Sequence, residues 1–262
     1  MNFVNEYIKY FINSKGRHGI HSPFVYDLLD KCLKIKIPAE FVSKLNQLKK
    51  TLSSNNSLIQ IEDAGAGSKK LSNERSVKSI YKTASCKGVY AKLLFQLSNQ
   101  YEPKNILELG TSLGIGTIHL ALGNPKAKVT TIDACKNTLE IAESNFAKLN
   151  LKNIDVVHAK FEDFLTKENQ TKYDLVYIDG HHDGKALKKY LKLLSNFTDE
   201  NTIFLLDDIR WSQDMFESWN EIKSLEEFHL TMDLFRMGII IRRPQQVKEH
   251  FVIKLKNVLS GF

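Results

Sequence analysis

The sequence has few cysteines and no long apolar run. Its three cysteines, Cys32, Cys86 and Cys135, are widely spaced and form no CxxC pair, so neither a disulfide framework nor a structural zinc site is indicated. No stretch approaches 18 uninterrupted apolar residues, and no membrane span is predicted. Glu6 and Lys9 interrupt the opening segment where a secretion signal needs an apolar centre. A cytoplasmic protein is therefore expected.

Sequence features of nucleic-acid-binding modules are also scarce, with no RGG tract and no long basic run. The net charge of the 262 residues is +7, and it is unevenly placed. Residues 1–104 contain 17 Lys and Arg against 8 Asp and Glu, whereas residues 105–262 contain 20 against 22. The basic part could meet lipid headgroups, nucleic acid or a phosphorylated substrate, or it could consist of lysines on solvated helix faces. We expect no nucleic-acid partner.

Apolar residues at helical spacing predict helices along the first hundred residues. The first helix carries a stripe of Phe3, Tyr7 and Phe11, and Ser22-Pro23 supplies the N-cap and first residue of the second. Three more helices are predicted over residues 41–52, 74–83 and 88–100. Residues 1–100 are therefore interpreted as a helical N-terminal cap.

From residue 105 onwards, short apolar runs alternate with amphipathic helices, which is typical of βαβ units and a parallel sheet. Strands are predicted near Asn105–Leu109, Lys128–Asp133, Ile154–His158, Tyr173–Asp179, Thr202–Asp207, His229–Phe235 and Gly238–Ile241. Only the turn at Arg236-Met237 joins the last two, so they should form an antiparallel hairpin. The sequence thus predicts an α/β core over residues 101–262.

A glycine-rich loop follows the first core strand, with Glu108 at its start and Gly110, Gly114 and Gly116 along it. Glycines here allow a tight turn and a close approach of backbone to a ligand, beside a helix N-terminus that supplies N–H donors. The spacing G-x-x-x-G-x-G differs from the G-x-G-x-x-G of dinucleotide enzymes. A nucleotide-like ligand other than NAD is indicated.

Acidic residues end three of the following strands. Asp133 ends the second, where a carboxylate can accept both hydroxyls of a ribose or cap the next helix. Asp179 follows the fourth strand, and Asp207 and Asp208 end the fifth, so all three should converge at one sheet edge. Three carboxylates repel one another unless a cation or proton compensates, and oxygen ligands suit Mg²⁺, Ca²⁺ or Mn²⁺.

The glycine loop resembles motif I of class I S-adenosylmethionine-dependent methyltransferases. The stretch from Cys86 to about Asp208 is similar to the catechol and caffeoyl-CoA O-methyltransferases and to related bacterial methyltransferases with an Asp-Gly-x-His signature, here Asp179 to His182. The resemblance implies a Rossmann-like sheet of order 3-2-1-4-5-7-6 with strand 7 antiparallel, S-adenosylmethionine as cofactor and Mg²⁺ as metal.

The resemblance also implies roles for individual residues. The metal positions match Asp179, Asp207 and Asp208, although Asp208 stands where the family has asparagine. The catalytic base matches His182, which replaces a lysine, and Asp179 is placed beside it in catalysis. The cofactor-binding positions match Glu108, Gly110, Thr111, Ser112, Gly114, Gly116, Asp133, Ala134, Phe161, Glu162, Asp179, Lys87 and Gly88.

A neutral imidazole at His182 can accept a hydroxyl proton near neutral pH. Alternatively, His181 or His182 is a metal ligand or orients the loop. The predicted reaction is methyl transfer to a hydroxyl of a small-molecule acceptor. The alternatives are a metal-independent methyltransferase for a sugar, lipid or natural product and a non-catalytic cofactor-binding protein.

Several further residues and segments carry expectations about the substrate and assembly. Arg17, His18, His21 and Trp211 are candidate substrate contacts, and Asp63–Ser68 is interpreted as a flexible lid. The apolar stretch His250–Leu259 could complete the sheet, pack on the cap or form a homodimer contact.

Overall fold

The computed structural model describes residues 3–16, 20–62, 74–167, 171–256 and 259. A central sheet of eight strands runs through these residues, in the order β10-β8-β9-β7-β6-β3-β4-β5. Its strands are β3 (Asn105–Leu109), β4 (Lys128–Asp133), β5 (Ile154–His158), β6 (Leu175–Ile178), β7 (Ile203–Leu206), β8 (Leu230–Asp233), β9 (Gly238–Ile241) and β10 (Glu249–Val252). The α/β class and the order predicted for the seven core strands are confirmed, and β9 is antiparallel to both β7 and β8.

Helices cover both faces of the sheet because alternate strand residues point to opposite sides. On β3, Ile106 packs with one helical layer and Leu107 with the other. The first layer contains α1 (Phe3–Asn13), α2 (Pro23–Asp30), α5 (Gly88–Tyr101) and α6 (Ile115–Gly123). The second contains α8 (Phe161–Leu165), α9 (Gly184–Leu194) and α10 (Gln213–Ile222). The sheet therefore lies buried between the two layers.

A third apolar cluster joins α3 (Ala39–Ser54) and α4 (Val77–Ala84) to α6 and to α7 (Lys136–Lys148). Between α3 and α4 the chain forms an antiparallel pair of short strands, β1 (Leu58–Gln60) and β2 (Glu74–Ser76). The prediction of helix from residue 74 is wrong at its start, because Ser76 is the N-cap of α4 and accepts a hydrogen bond from the Ser79 amide. The N-terminal region thus contains a small β-ladder that the sequence analysis did not predict.

The C-terminal stretch combines two of the three alternatives left open by its sequence, since it extends the sheet and also packs on the N-terminal cap. β10 pairs in parallel with β8 and extends the edge of the sheet, and the chain beyond it bonds to the segment after α1 through the Lys254 amide and the Lys15 carbonyl, 3.0 Å apart. Among the described residues, no helix is long and apolar enough to cross a membrane.

Candidate active site

A cleft of about 510 Å³ lies over the carboxyl ends of β3, β4, β6 and β7. This is the edge where ligands bind in open α/β sheets. Its lining includes sheet-end residues predicted to bind cofactor, metal or substrate: Gly110, Ser112, Asp133, Ala134, Phe161, Asp179, His182, Asp208 and Trp211. Further lining residues come from the segment directly after β1, from β2 and from α4: Ile61, Glu62, Arg75, Ser79, Ile80, Thr83 and Ala84.

The glycine loop is shaped by close backbone contacts. Gly110 has φ +110°, and a Cβ atom there would lie 2.1 Å from the Asp179 carbonyl oxygen. Gly114 has φ +79° and is the N-cap of α6. Both positions therefore require glycine, and the loop brings β3 backbone directly against the residue that ends β6.

Glu108 lies beneath this loop. Its buried carboxyl accepts hydrogen bonds from the hydroxyls of Thr117 and Thr131, and a Cβ atom on Gly116 would lie 2.6 Å from its Oε1. Thr111 and Thr131 hydroxyls are 2.6 Å apart in the same layer. Glu108, Thr111, Gly114 and Gly116 are not among the residues that line the cleft, and their contacts with one another and with Thr117 and Thr131 shape the loop from beneath.

Burial raises the pKa of Glu108 to about 8, although the two threonine hydroxyls lower it. A carboxyl whose pKa is higher in the folded than in the unfolded state stabilises the fold most at low pH, and this contribution is lost as pH rises from about 4.5 to 8. We expect Glu108→Gln to gain stability relative to the natural chain across this range, by on the order of 4 kcal/mol. Urea unfolding at pH 5 and pH 9 measures the change.

Glu140→Gln, on the outer face of α7, is the matched control and should shift little between the two pH values. A Glu108→Gln difference that stays constant from pH 5 to pH 9 would contradict the account of Glu108.

Asp133 is fixed by backbone donors at the end of β4. Its Oδ2 accepts from the Ser112 amide at 2.8 Å and its Oδ1 from the Cys135 amide at 2.9 Å. Burial raises its pKa, and these amides oppose the rise. The carboxyl group lines the cleft beside Ala134 and keeps acceptor capacity for a polar ligand.

Phe161 and Glu162, both predicted at cofactor-binding positions, separate in the structure. The Phe161 ring lines the cleft, packs over Gly180 and makes an edge contact with Tyr190. Glu162 instead pairs with Lys189 at 2.6 Å on the surface and does not line the cleft, whereas its neighbour Lys160 does. Successive residues at the start of α8 point in different directions, which explains the difference.

Asp207 was predicted as a metal ligand, but its carboxyl is already occupied. It is fully buried and accepts from the Arg236 Nε and Nη2 atoms at 3.0 Å each, as well as from the Asp208 amide at 2.8 Å. The Tyr177 hydroxyl lies 2.8 Å from Asp207 and 2.9 Å from Asp179, so its single hydrogen serves only one carboxyl at a time. The structure thus makes Asp207 the partner of Arg236.

Asp179, His182 and Asp208 form a different cluster, in which one ligand atom from each lies within 4.8 Å of the others. The His182 Nε2 is 3.8 Å from Asp208 Oδ2, and the Arg236 Nε is 2.9 Å from Asp208 Oδ1. His181, His182 and Asp208 all have positive φ, at 64°, 36° and 52°. Strained backbone of this kind concentrates at functional sites. Here it brings the side chains of His182, after β6, and Asp208, after β7, close to each other.

The charges in this cluster are only partly balanced. Burial, followed by the neighbouring Asp207, raises the pKa of Asp179 well above its ordinary value, and the same causes raise the pKa of Asp208 to about 6. The Arg236 guanidinium faces three carboxyl groups, those of Asp179, Asp207 and Asp208. Two carboxylates and an imidazole are a donor set that suits a divalent cation, so the residues present fit a metal ion.

The remaining predicted site residues lie in different places. Trp211 stands at the rim, 64% exposed, with its ring centroid 5.6 Å from that of His182. His181 contacts the Tyr190 hydroxyl and the Phe161 ring. His21 is exposed and does not line the cleft. Arg17, His18 and the predicted lid Asp63–Ser68 lie outside the described residues.

Lys87 and Gly88, also predicted at cofactor-binding positions, do not line the cleft either. The Lys87 Nζ donates to the Lys82 carbonyl at 2.5 Å and lies 5.8 Å from the Tyr81 ring centroid, while Gly88 lines a separate cavity.

Three residues of the site, Arg236, Tyr177 and Arg75, were not predicted from the sequence. Arg236 was assigned only to a tight turn, although an arginine between two apolar strands is a signal of a buried ion pair. Tyr177 lies inside an apolar strand, and Arg75 comes from the unpredicted strand β2, so no motif indicated either one.

A family model described as a methyltransferase domain matches residues 102–251, more than half of the chain. The chain therefore belongs to the methyltransferase domain family. Solved structures with a similar fold include an O-methyltransferase from Bacillus cereus in complex with SAH, with TM-score 0.52 and 22% identity, covering 61% of this chain and 83% of that one. A putative caffeoyl-CoA O-methyltransferase from Staphylococcus aureus has TM-score 0.54 and 16% identity, covering 77% and 99%. The predicted class I S-adenosylmethionine-dependent methyltransferase is confirmed.

Relatives by sequence carry different names. A ribosomal RNA small subunit methyltransferase G from Oenococcus oeni is 29% identical over 82 residues, covering 31% of this chain and 34% of the relative. A tRNA1(Val) (adenine(37)-N6)-methyltransferase from a Flavobacteriaceae bacterium is 32% identical over 90 residues, covering 34% and 38%. The chain spans about a third of the length of the curated relatives that it matches first. The prediction of a small-molecule acceptor and no nucleic-acid partner is contradicted by these relatives and is wrong.

Proposed function

We propose that this methyltransferase transfers a methyl group from S-adenosylmethionine to a hydroxyl oxygen of an RNA acceptor, with a divalent cation bound by Asp179, His182 and Asp208. The observation that carries the proposal is the position of this three-residue cluster in the same cleft as Asp133 and the glycine loop. A cofactor bound along the sheet edge would thereby have an acidic site beside it.

The cofactor-binding side of the cleft would be formed by Gly110, Ser112, Asp133, Ala134 and Phe161. Asp133 would accept the ribose hydroxyls, since backbone amides already hold its carboxyl in one orientation. The Phe161 ring would pack on the adenine. Glu108 and Gly116 would act beneath the loop by keeping its shape.

The acceptor side would be formed by the cluster and by Arg236. A divalent cation, when bound, would lower the pKa of the acceptor hydroxyl and fix its oxygen. His182 would hold the cation through one ring nitrogen, whose lone pair is then not available for a proton. The acidified hydroxyl would therefore release its proton to solvent water in the cleft. Arg236 would hold Asp207 and Asp208 in place, leaving Asp179 to face the acceptor. Alignment of the acceptor oxygen with the methyl group would supply most of the rate.

Three features support RNA as the acceptor. The curated relatives are named as methyltransferases of ribosomal and transfer RNA. Trp211 presents an exposed ring at the rim beside His182, and bases unstacked from RNA bind such rings. Lys160 and Arg75 line the same cleft and supply positive charge for phosphates. RNA also carries a ribose 2′-hydroxyl that suits the cluster.

The test is transfer of tritiated methyl groups from S-adenosylmethionine to total RNA from cells that lack this protein. The RNA is then digested, and labelled nucleosides are identified by mass spectrometry. We expect 2′-O-methylated nucleosides, a strong loss of labelling in a chelator and recovery with Mg²⁺ or Mn²⁺. Trp211→Ala should lower kcat/KM for RNA by about tenfold without changing the affinity for S-adenosylhomocysteine.

The name of the tRNA relative favours a second candidate, methylation of a base nitrogen. Labelled N-methyl bases formed equally well in a chelator would support that candidate and overturn the hydroxyl acceptor. Absence of any label in RNA would overturn the RNA acceptor.

A further inference from the structure

The outer side of α1 carries an exposed apolar stripe. Ile8, Phe11 and Ile12 are 49%, 52% and 73% exposed, and their spacing places them on one side of the helix. Lys15 follows the helix, and the Lys254 Nζ lies 4.5 Å from the Phe11 ring centroid. Apolar and cationic groups therefore share one surface.

The opposite side of α1 is firmly packed. Tyr7 and Tyr10 contact the buried Phe235 ring, with centroids 5.3 and 5.1 Å apart. The Lys15 amide donates to the Val252 carbonyl at 2.8 Å. The stripe is thus held outward by a fixed helix, because the inward side chains already occupy the core.

A cavity of about 650 Å³ continues from this stripe. Its floor is apolar, with Leu29, Leu33, Val89 and Leu255, and its lysines are Lys34, Lys92, Lys254 and Lys256. Lys254 belongs to both features, since it lines the cavity and contacts Phe11. Lys34 pairs with Asp30, whereas within residues 3–16, 20–62, 74–167 and 171–256 no ion pair involves Lys92, Lys254 or Lys256.

We propose that Ile8, Phe11, Ile12, Lys15, Lys254 and Lys256 form a docking face for the surface of an anionic lipid bilayer. A fixed helix with apolar side chains flanked by lysines can bury the former among acyl chains while the latter contact anionic headgroups. The cavity beside it gives a headgroup or an acyl chain a lysine-lined recess.

Charge and polarity argue against two other occupants. A second copy of the chain docked by the same face in a symmetric dimer would bring the lysines of both copies together. An RNA strand would meet the lysines but would set its phosphates and sugars against exposed isoleucine side chains. A lipid surface offers anionic headgroups and apolar chains together, which matches the lysines and apolar side chains that the face presents.

The docking face shares no residue with the catalytic cleft, so it is tested independently of the proposed reaction. Co-sedimentation of the intact chain is measured with vesicles of phosphatidylcholine alone and with vesicles containing one third phosphatidylglycerol. We expect binding to the anionic vesicles at least tenfold tighter than to the neutral ones, and weakened by salt.

Two double variants separate the contributions. Ile8→Ser with Ile12→Ser, and Lys254→Gln with Lys256→Gln, should each weaken binding to anionic vesicles at least fivefold. Val247→Ser, at an 84% exposed position outside the docking face, is the matched control and should bind like the natural chain. All variants should keep their affinity for S-adenosylhomocysteine, which shows that they are folded.

Three results would overturn the proposal. Equal binding to neutral and anionic vesicles, or no binding to either, would show that the docking face does not bind an anionic bilayer. RNA binding lost in the lysine variant but kept in the isoleucine variant, with no vesicle binding, would assign the face to RNA. A dimer seen by light scattering that becomes monomeric in the isoleucine variant would assign it to a second copy.

Discussion

Asp179→Asn is expected to lower methyl transfer by about 100- to 1,000-fold. Asp179 directly follows β6, and one of its carboxyl oxygens lies within 4.8 Å of ligand atoms of His182 and Asp208. The Tyr177 hydroxyl lies within hydrogen-bond distance of both Asp179 and Asp207. An amide removes a negative charge and one metal-ligating oxygen while keeping the size of the side chain. The rate of tritium transfer, measured at saturating S-adenosylmethionine, should therefore fall while the affinity for S-adenosylhomocysteine changes by a small factor.

The matched control is Asp155→Asn, since Asp155 is an exposed carboxylate on β5 whose ion pair with Lys128 is 3.7 Å long. Its activity should equal that of the natural chain. If Asp179→Asn kept more than a third of the methyl-transfer rate, the proposed role of Asp179 and its cluster in the reaction would be contradicted.

The second large effect is expected at Asp133. Asp133→Ala should weaken binding of S-adenosylhomocysteine by about 100-fold, because two charge-assisted hydrogen bonds to the ribose are lost, at about 1.5 kcal/mol each. Isothermal titration calorimetry in a chelator measures this affinity without involving a metal.

Asp133 also holds the amides of Ser112 and Cys135, so loop distortion has to be separated from the loss of a ligand contact. Thermal unfolding without cofactor provides that separation, and a variant that melts near the natural temperature isolates the binding effect. Asp163→Ala, on the exposed side of α8, is the control. If Asp133→Ala reduced the affinity for S-adenosylhomocysteine less than threefold, Asp133 would not be a cofactor-binding residue.

Much of the core could be predicted because its local signals agree. The predicted limits of β3, β4, β5 and β9 coincide with those observed, since each is an apolar run bounded by polar residues or glycine. The antiparallel β9 followed from the short Arg236-Met237 turn, which leaves no room for a crossover. Short connections and apolar runs are properties of neighbouring residues, so sequence is sufficient for them.

The site was harder to predict because it depends on residues distant in sequence. Asp207 and Asp208 look equivalent as neighbours, but Arg236, 29 residues away in the chain, engages both carboxyl oxygens of Asp207 and only Oδ1 of Asp208. Asp208, with φ +52°, turns towards His182. Which carboxylate remains for a cation is therefore decided by a long-range ion pair that no local pattern contains.

The weakest predictions concerned the chain ends and short strands. β1 and β2 have three residues each, too few for an alternating pattern to emerge. β10 carries polar Glu249 and His250 beside Phe251 and Val252, and its place in the sheet depends on pairing with β8. Edge strands of this kind are stabilised by a neighbour and have little signal of their own.

The most direct test of the proposed site is Mn²⁺ binding to the intact chain, followed by electron paramagnetic resonance as metal is added to the complex with S-adenosylhomocysteine. The account predicts one bound Mn²⁺ per chain in the natural protein and at least tenfold weaker binding in Asp179→Asn, with Asp155→Asn unchanged. Equal Mn²⁺ binding by the natural protein and Asp179→Asn, or none by either, would contradict the assignment of Asp179, His182 and Asp208 as a metal site.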